Sequence, residues 1–163
     1  MNKHALPSPS SEPNPNLVSR RRALGIGATV AAGLLLDLSA FAEPARRKVV
    51  VWSEGTANVD PESKAIYPND INTAIAEGLK PLESNGWEIL KAGLNDPDQG
   101  ISDALLQSTD VLIWWGHKKH RDVSNELVDK IEKRVKEEGM GFIGTHSAHF
   151  SKPYKRLMGT PCS

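Results

Sequence analysis

The sequence predicts an α/β domain built on a doubly wound parallel sheet and preceded by an export signal. Three observations predict this. Short apolar runs rich in β-branched residues alternate with segments of helical periodicity. Those runs are apolar on both faces, as strands covered by helices from both sides are. A polar segment, a basic cluster and a brief apolar run come before the first of them.

Residues 2–18 are rich in Pro, Ser and Asn and show no apolar period. Ser19-Arg20-Arg21-Arg22-Ala23-Leu24 follows, then a mildly apolar run from Ala23 to Leu36. That run is too short to span a bilayer, and Gly25, Gly27 and Gly33 dilute it, so no stable membrane anchor is expected. Ala40-Phe41-Ala42 is a small-residue site, which puts cleavage before Glu43. Adjacent arginines ahead of a weakly hydrophobic, Gly-containing core resemble a twin-arginine signal, with Ala23 and Gly25 where that signal often has Phe and Lys. Residues 1–42 are therefore read as the signal and 43–163 as the exported domain. The twin-arginine export machinery is an expected partner, and the location is periplasmic or secreted.

Within the domain, Arg47–Trp52 reads as a buried strand bounded by Ser53-Glu54-Gly55, and Ala57–Pro68 reads as a loop. Asn69 or Asp70 caps a helix through Asn85, with Ile71, Ile75, Leu79 and Leu82 at helical spacing and Pro81 tightening its end. Trp87–Lys91 is the second strand. Asp96–Gly100 is a turn, and Ser102 caps a short helix ending near Ser108. Asp110–Gly116 is the strongest strand. Val123–Glu138 is an amphipathic helix whose charges form a solvated face, Gly139–Thr145 is the fourth strand, and Phe150–Met158 opens another helix. Right-handed crossovers give the strand order 2-1-3-4. Four strands are about half of such a domain, so the fold is expected to be incomplete at its C-terminus.

Charge excludes one class of function. The 20 basic and 20 acidic residues balance, and residues 1–42 hold four of the former and two of the latter. The domain keeps 16 against 18, with no basic excess for nucleic acid. The single Cys162 makes no internal disulfide.

Ligands of doubly wound sheets bind beyond the carboxyl ends of the strands. All four histidines of the domain fall there, as His117 with His120 after strand three and His146 with His149 after strand four. Imidazole there can ligate a metal, move protons near neutral pH or hydrogen-bond a sugar hydroxyl. His117, His120 and His146 are the candidate ligands of a divalent metal such as zinc. The first pair also reads as a solvated loop. His146 and His149 are candidate acid/base groups. Glu54 is a general base, a metal ligand or a turn residue. Ser147 lacks the flanking glycines of a hydrolase elbow, so a serine hydrolase is not expected. Trp114 and Trp115 read as core, and Trp115, His117 and Ser147 are candidate ligand contacts.

Val51-Trp52-Ser53-Glu54, Tyr67-Pro68-Asn69-Asp70-Ile71, Asp110–His117 and Gly144-Thr145-His146-Ser147-Ala148-His149-Phe150-Ser151-Lys152 together resemble the ThuA-like (trehalose utilisation) family. The tail Lys155–Cys162 is similar as well. The resemblance implies a class I glutamine amidotransferase-like fold, of the Rossmann and flavodoxin-like kind. Amidotransferases carry Cys in a Gly-x-Cys elbow; Gly144-x-His146 puts His there, so glutamine hydrolysis is not expected. The family implies a small-molecule sugar as partner, of trehalose-type or oxidised disaccharide kind, and sugar-modifying or sugar-cleaving chemistry. A non-catalytic carbohydrate-binding or assembly module and an inactive fragment stay open as alternatives, as does a homo-oligomer.

Overall fold

A computed structural model of the chain describes residues 46–162, so the signal read over residues 1–42 lies outside the described residues. Strands β1 (Arg47–Ser53), β2 (Trp87–Gly93), β3 (Val111–Trp115) and β4 (Gly141–Thr145) form one sheet in the order β2-β1-β3-β4. Every pairing is parallel. The expected α/β class and strand order are both found.

Side chains alternate between two apolar layers, because successive strand residues point to opposite faces. Val50, Trp52, Leu112 and Trp114 face one layer, which α3 (Asp103–Ser108) and α4 (Asn125–Lys136) close with Leu106, Leu127, Val128 and Ile131. Val49, Val51 and Ile113 face the other, covered by Ile75, Ala76 and Leu79 of α2 (Ile71–Leu79). Trp52 and Trp114 stack at 3.6 Å between ring centroids, and the Trp52 indole N–H donates to the Gln99 carbonyl at 2.8 Å. That pair is core, as its position inside strands predicts. The α4 caps follow from sequence: Ser124 accepts the Leu127 N–H, and Lys133, Arg134 and Lys136 crowd the negative C-terminal end.

Two elements differ from expectation. The stretch read as a loop over Ala57–Pro68 holds a helix, α1 (Pro61–Ile66). Asp60 accepts the Ser63 N–H at 2.8 Å and Pro61 opens the first turn, a start signal that the scattered polar residues obscured. The helix read through Asn85 is α-helical only to Leu79. It continues as a 3₁₀ turn over Lys80–Asn85, because Pro81 lacks the N–H that an α-helix would use. Gly86, at φ 79°, ends it.

The register sets the site. Ser53 pairs with Trp115, and Trp115 with Thr145, so three neighbouring strands stop at one level. The residues after each stop share one crest.

Candidate functional site

The turn after β4 is the most constrained part of that crest. His146 takes φ 55°, on the left-handed side where few residues with a side chain sit. A 3₁₀ turn over His146–Phe150 then leads into α5 (Lys152–Met158), with Ser151 capping the helix through the Tyr154 N–H. The approach is close: a β-carbon on Gly144 would lie 2.8 Å from Cδ2 of Tyr154, so only glycine fits without displacing that ring. The sharp strand-to-helix turn lifts His146 out of the sheet and leaves its ring exposed.

Across the crest the His117 ring stands 4.9 Å from that of His146, measured between centroids. Ser147 joins them. Its hydroxyl is 2.7 Å from Nδ1 of His146 and 3.3 Å from Nδ1 of His117. A hydroxyl has one proton and two lone pairs, so Ser147 can donate to one imidazole while accepting from the other. Trp115 lies alongside, its ring 5.7 Å edge-on to His146 and 6.1 Å from His117. A cleft of about 360 Å³ opens over these groups, walled by Tyr67, Trp115, His117, Lys118, Thr145 and His146.

His120 and His149 do not join them. The His120 ring packs over Gly116, whose added β-carbon would lie 3.1 Å from its Nδ1, and faces Phe150 at 6.2 Å. Neither of its ring nitrogens has a hydrogen-bond partner. Burial lowers its pKa below the ordinary 6.5, although the nearby Glu54 charge pulls the other way. His149 lies against Phe150 at 3.9 Å between centroids. The expectation of four converging imidazoles is therefore corrected to two. A spacing of two intervening residues, at the short turns after β3 and β4, sends the second histidine of each pair down toward Phe150.

No group of three or more His, Cys, Asp or Glu side chains among the described residues is arranged to hold a metal ion. The ligand set expected for zinc, His117 with His120 and His146, thus supplies two converging nitrogens of the three that a catalytic site uses. This donor set does not complete a zinc site.

Glu54 is 1% exposed, and its carboxylate accepts three hydrogen bonds. It accepts the Thr56 hydroxyl at 2.6 Å and the backbone N–H groups of Lys118 and Lys119 at 2.6 and 2.9 Å. Burial by itself raises its pKa. The Thr56 hydroxyl and the backbone N–H groups of His117, Lys118 and Lys119 outweigh that and hold it below the usual carboxylate range. Glu54 thus clamps the loop that carries His117 from a buried position, and it is not among the residues that wall the cleft.

Tyr67, assigned no chemical role from the sequence, also walls the cleft, as does the strand-end residue Thr145. Tyr67 sits in the turn after α1, a helix that the sequence reading missed, so nothing pointed it toward the crest.

A doubly wound parallel sheet with a strained turn at its crest defines an α/β protein of the flavodoxin-like, class I glutamine amidotransferase-like kind, with His146 at the turn where a glutaminase needs Cys. Residues 48–163 match the sequence profile of ThuA, described as trehalose utilisation, and the chain belongs to that family. No match is found among curated proteins.

Proposed function

We propose that this is an exported carbohydrate-processing protein, acting on trehalose-type or oxidised disaccharides, with proton transfer carried by His146, Ser147 and His117. The single observation behind it is the Ser147 hydroxyl shared between two imidazoles beside Trp115, in a cleft at the strand ends. Membership in a trehalose-utilisation family supports the sugar as substrate class. Imidazole, hydroxyl and Tyr67 suit the hydroxyls of a pyranose, while Trp115, 6% exposed, backs the two imidazoles.

In this reading one imidazole takes a proton from a sugar hydroxyl or from the carbon beside an oxidised position. The other returns a proton to the departing or developing oxygen. Ser147 equalises their protonation between turnovers, since its hydroxyl can pass a proton from one Nδ1 to the other. The metal expected from the histidines has no step here, because its donor set is incomplete.

The test is turnover of trehalose and its keto derivatives by the purified domain and by His146→Ala. General acid/base catalysis of this kind is worth about 10²–10⁴-fold, so His146→Ala should lose that much while folding normally. Sugar binding by the wild type without any turnover would instead favour a carbohydrate-binding module. Unchanged turnover in the variant would end the His146 assignment. For export, replacing Arg20 and Arg21 by lysine in the full chain should leave the precursor in the cytoplasm; export that survives rules out the twin-arginine route.

A further inference from the structure

The walls of the cleft carry two charged side chains besides the imidazoles, one of each sign. Lys118 follows His117 in the loop after β3, and Asp60 precedes α1. Both are exposed. Each is fixed at its base. The Lys118 N–H donates to Oε1 of the buried Glu54 at 2.6 Å, so the backbone under its side chain is held to the sheet end. Oδ1 of Asp60 accepts the Ser63 N–H at 2.8 Å, which ties the carboxylate to the first turn of α1.

The two charges feel each other without touching. The Ser63 N–H and hydroxyl hold the Asp60 carboxyl below its usual range, and the Lys118 charge adds to this. Yet neither residue belongs to any ion pair among the described residues. A carboxylate has about four lone-pair sites, so Asp60 keeps acceptor capacity beyond Ser63, and the Lys118 ammonium has donors to offer. Ala57, Ile71, Ile75 and Trp115 make much of the remaining wall. Apolar walls focus the field of charges in a cleft, so the pair polarises the space beside His117.

A ligand suited to that field sets an acceptor that carries no proton next to a hydroxyl. A carbonyl beside a hydroxyl is such a group. An oxidised sugar has one, whereas trehalose has only hydroxyls and ether oxygens. We propose that Lys118 and Asp60 make the cleft selective for an α-hydroxy carbonyl: the Lys118 ammonium donates to the carbonyl oxygen, and Asp60 accepts the neighbouring hydroxyl. The proposal rests on the carbohydrate reading of the cleft and narrows its substrate to the keto form. A hydroxyl in place of the carbonyl also accepts from Lys118, but must then find a partner for its own proton; a carbonyl has none to place. The same contact serves the chemistry. When an imidazole takes the proton from the carbon beside the carbonyl, the C–H electron pair moves toward that oxygen as an enolate, next to the ammonium.

The test is titration with trehalose and its keto derivatives, and their turnover, in the wild type, Lys118→Met, Lys118→Arg and Asp60→Asn. Both side chains are exposed and Asn caps a helix as well as Asp, so each variant should melt within about 2 °C of the wild type. The wild type should prefer the keto form. Lys118→Met should bind that form about 10–100-fold more weakly and trehalose within about threefold of wild type, which erases the preference. Lys118→Arg keeps the charge and should recover most of it. Asp60→Asn should lose less, about three- to tenfold, because its amide oxygen still accepts. A keto preference that survives Lys118→Met overturns the proposal. So does an equal loss for both sugars, since Lys118 would then be a contact without selectivity. A wild type that binds the two forms alike also overturns it, and leaves the carbohydrate reading standing. If His146→Ala loses turnover while Lys118→Met keeps the preference, only the Lys118 assignment falls. If the wild type binds none of these sugars, the carbohydrate reading falls and this selectivity with it.

Discussion

The ends of β1 and β4 lie on the same crest, two strands apart, and carry polar residues of equal chemical promise. At the end of β1, Ser53 and Glu54 are each 1% exposed. Every Glu54 bond goes to Thr56 or to the loop after β3. At the end of β4, His146 is exposed and shares a single hydroxyl with a neighbouring imidazole. The first region is buried and holds shape; the second is exposed and open to a ligand. Chemistry needs the second state, because a general acid or base must come within hydrogen-bond reach of the substrate, and a buried carboxylate held by neighbouring donors does not.

Glu54→Ala gives the largest effect that follows. It removes a buried acceptor and strands the N–H groups of Lys118 and Lys119, a loss of about 3 kcal/mol. For a domain of this size the melting temperature should fall by roughly 10 °C. His146→Ala, in contrast, should shift melting by no more than about 2 °C while removing turnover, since its ring is exposed. The contrast between the two variants is the measurement. If Glu54→Ala melts like the wild type yet is inactive, Glu54 is the general base after all, and the division between the two strand ends fails.

Sheet order, strand positions and the crest were legible in the sequence because they follow from apolar runs and crossover handedness. Val49–Trp52 and Val111–Trp115 can be little else than central strands, and placing Gly141–Thr145 beside the second of them brings His117 and His146 near each other. What residue type did not reveal was which polar groups would be satisfied. Glu54 reads the same whether it faces a substrate or three donors. His120 and His149 share a spacing motif with their partners, yet the direction of a side chain after a strand depends on the turn, and the turn at His146 has an unusual φ that no pattern announces. The cleft wall at Tyr67 was hidden for a different reason. Its helix is six residues long, too short to show a period, and is marked only by an Asp-Pro start.

His120 gives the smallest effect and separates the two regions by pH. It lies between Gly116 and Phe150 without a hydrogen-bond partner, and burial lowers its pKa from 6.5. The unfolded chain therefore takes up a proton first as pH falls, so His120 leaves stability intact above about pH 6.5 and erodes it below, until the folded state protonates too. Glu54 acts lower. Its folded pKa is depressed, so its contribution is present above the unfolded value of 4.5 and is lost as pH falls through the folded one. Denaturant unfolding of wild type and His120→Gln between pH 8 and 5 should show a constant difference at the alkaline end. Below about pH 6.5 the curves should converge or cross as the wild type alone weakens. Parallel curves across the whole range would mean that His120 reaches water or a partner, and that the loop between the two strand ends is less tightly packed than the contacts of Gly116 and Phe150 require.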